Sequence, residues 1–159
     1  MQSEDSMRAI DRREYVEWIA KYRWRLIGVF TFRPGIRMKG GRRRFTEWME
    51  SVETAERRQL SWLAFPEYGE NGNLHLHVVI AGIRSRIYPH LKRWNRVAGH
   101  AQVLTYNPHY PGRGWAAPDE HLGIDYAMKS LRSDDYDFDG RLHDQHLLPR
   151  FRRLARRSA

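Results

Sequence analysis

Two hydrophobic periods alternate along the chain. In 74-LHLHVVI-80, Leu74, Leu76, Val78 and Ile80 take every second position and His75, His77 and Val79 the positions between. A period of two puts the first set on one face of a strand and the second on the other. Strand-like runs rich in β-branched and aromatic residues also cover Trp24–Phe32, Ser61–Tyr68 and His100–Tyr106. Helical spacing predicts helices over Ser6–Tyr22 (Met7, Ile10, Val16, Ile19, Tyr22), Arg42–Gln59 (Phe45, Trp48, Met49, Val52) and Ser85–Ala98 (Ile87, Leu91, Trp94, Val97 inward). A last helix is predicted over Pro118–Leu131, opening on proline. Pro34-Gly35 stops the first strand, Pro66 marks its strand as an edge or a bulge, and Asn107–Ala117 reads as a loop. Helices alternating with mainly hairpin-linked strands predict an α+β sandwich, one antiparallel sheet with helices packed against it.

Composition narrows the partners. With 159 residues, 41% of them apolar, and six Trp, eight Tyr and six Phe, the chain can bury a core as one domain. Its 28 Lys and Arg against 19 Asp and Glu leave a net charge of +9, which favours a polyanion. Nucleic acid fits better than membrane, because no segment approaches the ~20 apolar residues a span needs. Without cysteine there are neither disulfides nor thiolate ligands, so a metal would rest on His and carboxylates. The charged opening MQSEDSMRAIDRREY is no secretory signal and predicts an intracellular protein, cytoplasmic if prokaryotic. The run 39-KGGRRR-44 leads into a predicted helix N-terminus, so Lys39, Arg42, Arg43 and Arg44 are the expected DNA contacts. The basic tail 150-RFRRLARRSA-159 either joins them or is a solvated, disordered extension.

Candidate chemistry gathers on the His strand. His-x-His on a strand is compatible with two satisfied, half-buried histidines or with a metal. Glu67 is the candidate third ligand, and the hairpin decides its reach. A two-residue Asn71-Gly72 turn would set Tyr68 opposite His75, whereas a three-residue Glu70-Asn71-Gly72 loop with a left-handed Gly72 sets Glu67 there. Two imidazoles and a carboxylate suit Mn²⁺ or Mg²⁺ and would accept Zn²⁺, Co²⁺ or Ni²⁺. In 122-LGIDYAMKS-130, Tyr126 and Lys129 are three apart on a predicted helix and share a face. Alone the pair reads as a core tyrosine beside a snorkelling lysine. Facing a metal, the phenolate becomes a nucleophile for a phosphodiester, with Lys129 screening the phosphate or supporting the phenolate. The remaining histidines, at 90, 100, 109, 121, 143 and 146, are expected at the surface.

Glu67, the His75-Leu76-His77 triplet and Tyr126-x-x-Lys129 resemble the motifs of the HUH endonucleases, in particular the single-tyrosine catalytic domains of rolling-circle replication initiators, and 29-VFTF-32 is similar to that family's short first motif. The resemblance runs from about Leu26 to Ser130. It implies a five-stranded antiparallel sheet with flanking helices and a divalent metal, Mn²⁺ or Mg²⁺, on Glu67, His75 and His77; the domain is expected over residues 1–132, N-terminal helix included, with 133–159 either a basic extension of it or a tail. It further implies that Tyr126 nicks single-stranded DNA at a replication origin, a hairpin among its forms, leaving a free 3′ hydroxyl and a covalent 5′-phosphotyrosine. A separate helicase and a host polymerase would complete replication. Insertion-sequence transposases with one helix-borne tyrosine share the chemistry, and Lys129 favours the replication initiator over them. A non-catalytic RNA- or single-stranded-DNA-binding domain of similar architecture is the alternative of a different class.

Overall fold

The computed structural model describes residues 14–15, 17–106 and 138–155, with side chains described as far as 152. Five antiparallel strands form one sheet in the order β4-β1-β3-β2-β5, with β1 at Trp24–Phe32, β2 at Ser61–Tyr68, β3 at Leu74–Ala81, β4 at Gly99–Thr105 and β5 at Asp139–Arg141. Among the described residues, helix α1 spans Met38–Glu56, α2 Tyr88–Val97 and α3 Pro149–Ala155, and residues 17–19 are helical. The architecture is the α+β arrangement that the alternating periods predict. The helix expected over Pro118–Leu131 and the loop before it lie outside the described residues.

The period-two pattern of β3, the central strand, explains the layering. Leu74, Leu76, Val78 and Ile80 join Phe30, Phe45, Trp48, Val52 and Trp94 in a core beneath α1 and α2. On the opposite face Val79 packs with Ile19, Tyr22, Trp24, Ile27, Leu63, Phe65 and Leu147, which close one end of the sheet. Trp24 and Ile27 differ in sequence parity yet share this second core. A register shift between Trp24 and Leu26 inserts the odd residue, and a bulge exchanges the faces of the side chains on either side of it.

Helix α1 begins at Met38, four residues before the position expected from the sequence. Gly40 and Gly41 read as helix breakers in sequence because glycine gives up the most chain entropy on ordering. Tertiary contact overrides that cost: a Cβ on Gly41 would stand 2.3 Å from Leu74 Cδ2 and 3.2 Å from Phe32 Cζ. The glycine lets the helix lie against the sheet. In α2, Ile87, Leu91 and Trp94 face the core as expected, but Val97 is 49% exposed and Ala98 takes the next core position. Val97 is ten residues from Ile87, about 80° off the buried stripe at 3.6 residues per turn.

The fifth strand has no signature in sequence. Asp-Gly-Arg is polar and short, and it becomes a strand by pairing with Trp62, Leu63 and Ala64 of β2. Ion pairs to α1 hold it: Arg42 to Asp139 at 3.4 Å, and Arg141 to Glu50 at 2.9 Å and to Glu53 at 3.4 Å. Residues 138–155 therefore belong to the same sheet and core as the rest. Pairing with β5 reaches Ala64, and among the described residues no strand lies beside Pro66 on that side, where its missing amide donor would break a ladder bond.

Candidate functional site

The β2–β3 hairpin closes through a three-residue loop. Gly69 N donates to Asn73 O at 2.9 Å, Gly72 N donates to Gly69 O at 2.9 Å, and Gly72 has φ 74°. That left-handed conformation favours glycine and fixes the register. Glu67 lies opposite His75, Phe65 opposite His77, and Tyr68 opposite Leu74. Of the two hairpins open to the sequence, this is the one that turns Glu67 onto the imidazole face. Tyr68 turns the other way, and its hydroxyl accepts a hydrogen bond from Met38 N at 3.3 Å, tying the hairpin to the start of α1.

On the imidazole face Glu67 Oε2 lies 2.6 Å from His77 Nε2, a short contact of the kind a carboxylate makes with an imidazole N–H. The His77 side chain is only 5% exposed, against 34% for Glu67, so the carboxylate is the solvent-facing member. His75 is half-buried on the same face, with its ring over Gly69: a Cβ there would stand 2.7 Å from His75 Nε2. Register and donor chemistry suit a divalent cation, with Glu67, His75 and His77 as the residues that would hold it. Among the described residues, no three His, Asp or Glu side chains already converge on a common point. The Glu67–His77 bond is formed, and His75 stands beside it.

The same row extends across the sheet. Thr31 of β1 pairs with His75, and His100 of β4 pairs with Thr31, so Glu67, His75, Thr31 and His100 share one cross-strand row. Thr31 Oγ1 donates to His100 O at 2.9 Å. The sequence places His100 at the surface, and it is exposed, but only strand register shows that it shares the row with the imidazole pair.

The predicted DNA contacts divide. Lys39 and Arg43 are exposed on the first turns of α1, Arg43 pairing with Glu47 at 3.7 Å. Arg42 is committed to Asp139, and Arg44 donates from Nη1 to Val97 O at 2.7 Å. The run lies inside the helix instead of leading into it, because α1 starts earlier than expected. Tyr126 and Lys129 lie outside the described residues.

Two other histidines depart from the surface placement expected for them. His146 is 7% exposed, and its Nδ1 lies 2.8 Å from Ser61 Oγ, which accepts the His143 amide at 2.8 Å. Burial, together with the nearby charges of His143, Arg23, Arg58 and Arg152, pushes its pKa down to about 4. His90 leaves only 15% of its side chain exposed, beside Glu56 at 3.7 Å. Burial opposes ionisation of Glu56, but hydrogen bonds from the Ser85 hydroxyl and the Arg84 and Ser85 amides, with the charge of His90, outweigh it and hold the carboxyl below its usual range.

No family model matches the chain, and no curated protein matches it. Among solved structures, it is similar to the crystal structure of the hypothetical protein ORF119 from Sulfolobus islandicus rod-shaped virus 1, with a TM-score of 0.52 and 10% identity over 80% of this chain and 99% of that one. At that identity the likeness is one of fold alone.

Proposed function

We propose that the chain is a metal-dependent enzyme of the HUH type that nicks and rejoins single-stranded DNA through a covalent 5′-phosphotyrosine, initiating rolling-circle replication of a plasmid or virus. The observation that carries this reading is the hairpin register, which brings Glu67 onto the His75–His77 face with its carboxylate 2.6 Å from His77. Supporting it are the five-stranded antiparallel sheet and the net charge of +9. A divalent metal bound there, Mn²⁺ or Mg²⁺, would polarise a nonbridging phosphate oxygen and position the scissile group. His75 and His77 would supply it with imidazole nitrogens from a strand held by neighbours on both sides. Glu67 supplies the negative charge at the more exposed edge. The Tyr126 phenol loses its proton to solvent and its oxygen attacks phosphorus, forming the O–P bond as the P–O3′ bond breaks, and the leaving 3′ oxygen takes up a proton from water to become the free hydroxyl. Lys129 places a positive charge near the phosphate in the transition state.

The non-catalytic alternative requires exposed aromatic rings on sheet strands as stacking platforms. The strand residues Trp24, Phe30, Phe32, Trp62 and Phe65 are all buried, and Tyr68 is turned to the start of α1. That leaves the described strands of the imidazole face without a stacking surface.

The test is mass spectrometry of the denatured protein after incubation with pooled single-stranded oligonucleotides and Mn²⁺. A DNA adduct on the Tyr126 peptide is expected. Tyr126→Phe should abolish it while leaving single-stranded DNA affinity intact, and Lys129→Ala should slow it partially. An adduct that maps to another tyrosine would move the nucleophile. Its absence with every oligonucleotide would favour the binding domain.

A further inference from the structure

Between Asn71 and Pro118 the sequence contains no Asp or Glu, and the outer surface of α2 lies within this stretch. Arg84, Arg86, Lys92, Arg93 and Arg96 are exposed there, and none of them has an ion-pair partner among the described residues. Tyr88, Lys92 and Arg96 are four apart, so they form one stripe along the helix. Lys92 Nζ lies 5.1 Å from the centroid of the Tyr88 ring, which is itself 64% exposed. Glu56, which contacts this stretch, leaves only 4% of its side chain exposed and is turned inward onto Arg84, Ser85 and His90. It does not offset the charge outside.

The end of α2 that would repel an anion is neutralised as well. A helix C-terminus carries partial negative charge from its free carbonyls. Here Arg33 donates to Asn95 O and Arg96 O at 3.0 Å each, and Arg44 donates to Val97 O at 2.7 Å. The outer face is thus positive from Arg84 and Arg86, just before the helix, through Lys92 and Arg93 to Arg96 in its last turn. It lies on the side of the sheet opposite Glu67, His75 and His77, where α2 packs through Ile87, Leu91 and Trp94 on the Leu74, Leu76, Val78 and Ile80 face.

We propose that this face of α2 is a second nucleic-acid contact, which takes the phosphate backbone of duplex DNA while single-stranded DNA is handled on the imidazole face. Charge complementarity selects a polyanion. Shape selects a duplex: a helix of ~10–12 Å diameter fits a major groove of ~12 Å, whereas an unpaired strand needs a groove lined with free rings. The one exposed ring here, Tyr88, is partly covered by Lys92.

The test measures binding of a fluorescein-labelled duplex of about two helical turns, and separately of an oligo-dT single strand, over a salt series. Lys92→Ala, Arg93→Ala and Arg96→Ala should each lower the slope of log K against log salt for the duplex by about 0.9, and the triple variant by about 2.7. At 0.1 M salt the triple variant should bind the duplex at least about tenfold more weakly, with oligo-dT affinity changed less than about twofold and circular dichroism unchanged. These side chains are exposed, so folding should survive. An unchanged duplex slope in the folded triple variant, an equal loss for duplex and oligo-dT, or salt-sensitive binding to anionic phospholipid vesicles without duplex binding would each overturn the proposal. No nicking is required, so failure here is distinguishable from failure of the chemistry assigned to the other face.

Discussion

On the face of the sheet covered by α1 and α2, Phe30 lies 5.2 Å from the ring of Phe45, 5.0 Å from Trp48 and 5.1 Å from Trp94, and all four side chains are buried. On the other face, Thr31 of β1 and His75 and His77 of β3 present polar atoms, and beside them Glu67 is partly open to water. One sheet therefore carries two investments. The helix-covered face supplies stability through aromatic packing. On the opposite face the described residues Ile27, Leu63, Phe65, Val79 and Leu147 form a second core, and the hairpin end carries groups that cost free energy to bury unless they are bonded. The hairpin end is where chemistry can be placed with least loss of core.

The largest effect expected from breaking this division is on stability. Trp94→Ala removes a fully buried ring that touches Phe30, Phe32, Phe45 and Trp48, and should cost about 3–5 kcal/mol in urea unfolding. A loss under about 1 kcal/mol would show that the aromatic face does not carry the fold.

A smaller loss is expected on acidification, from the packed end of the other face. His146 has its folded pKa lowered from 6.5 to about 4, so its neutral form is favoured in the native state. The stability it contributes is present above pH 6.5 and is lost as pH falls towards 4. Across that window wild type should lose on the order of 2 kcal/mol more than His146→Gln, which has no charge to gain. Parallel pH profiles for the two proteins would contradict the role given to the buried Ser61–His146 contact.

Much of this arrangement was legible in sequence, and the remainder was hidden for physical reasons. The alternation in β3 and the aromatic stripe of α1 are local patterns, so the sheet faces and their core could be read directly. The three-residue hairpin loop was one of two options allowed by Glu70-Asn71-Gly72, and the register decided between them. By contrast, β5 depends on β2 and on ion pairs to α1, contacts made about 75 to 100 residues apart. Gly41 reads as a breaker until Leu74 and Phe32 are placed against it. The burial of His146 depends on Ser61, 85 positions away. His100 joins the site row only through β4–β1 pairing.

The subtlest expected effect sharpens the comparison at the hairpin. Gly72→Ala meets no atom within 4 Å but must adopt φ 74°, so it should cost about 1–2 kcal/mol and act through the backbone. Gly69→Ala places a Cβ 2.7 Å from His75 Nε2, too close for the ring to stay, so it should displace that ring and weaken Mn²⁺ binding, while costing under about 1 kcal/mol of stability. Thermal unfolding alongside metal titration separates the two. Equal effects of both variants on metal affinity would contradict a distinct role for the His75 position.

The central claim is that Glu67, His75 and His77 form one divalent-metal site, and calorimetric titration with Mn²⁺ tests it most directly. Wild type should show a single site per chain. Glu67→Ala, His75→Ala and His77→Ala should each weaken it by at least about tenfold to a hundredfold, and His143→Ala should leave it unchanged. Mn²⁺ binding that is unaltered in both His75→Ala and His77→Ala, with the variants folded, would contradict the claim and return the pair to a structural role.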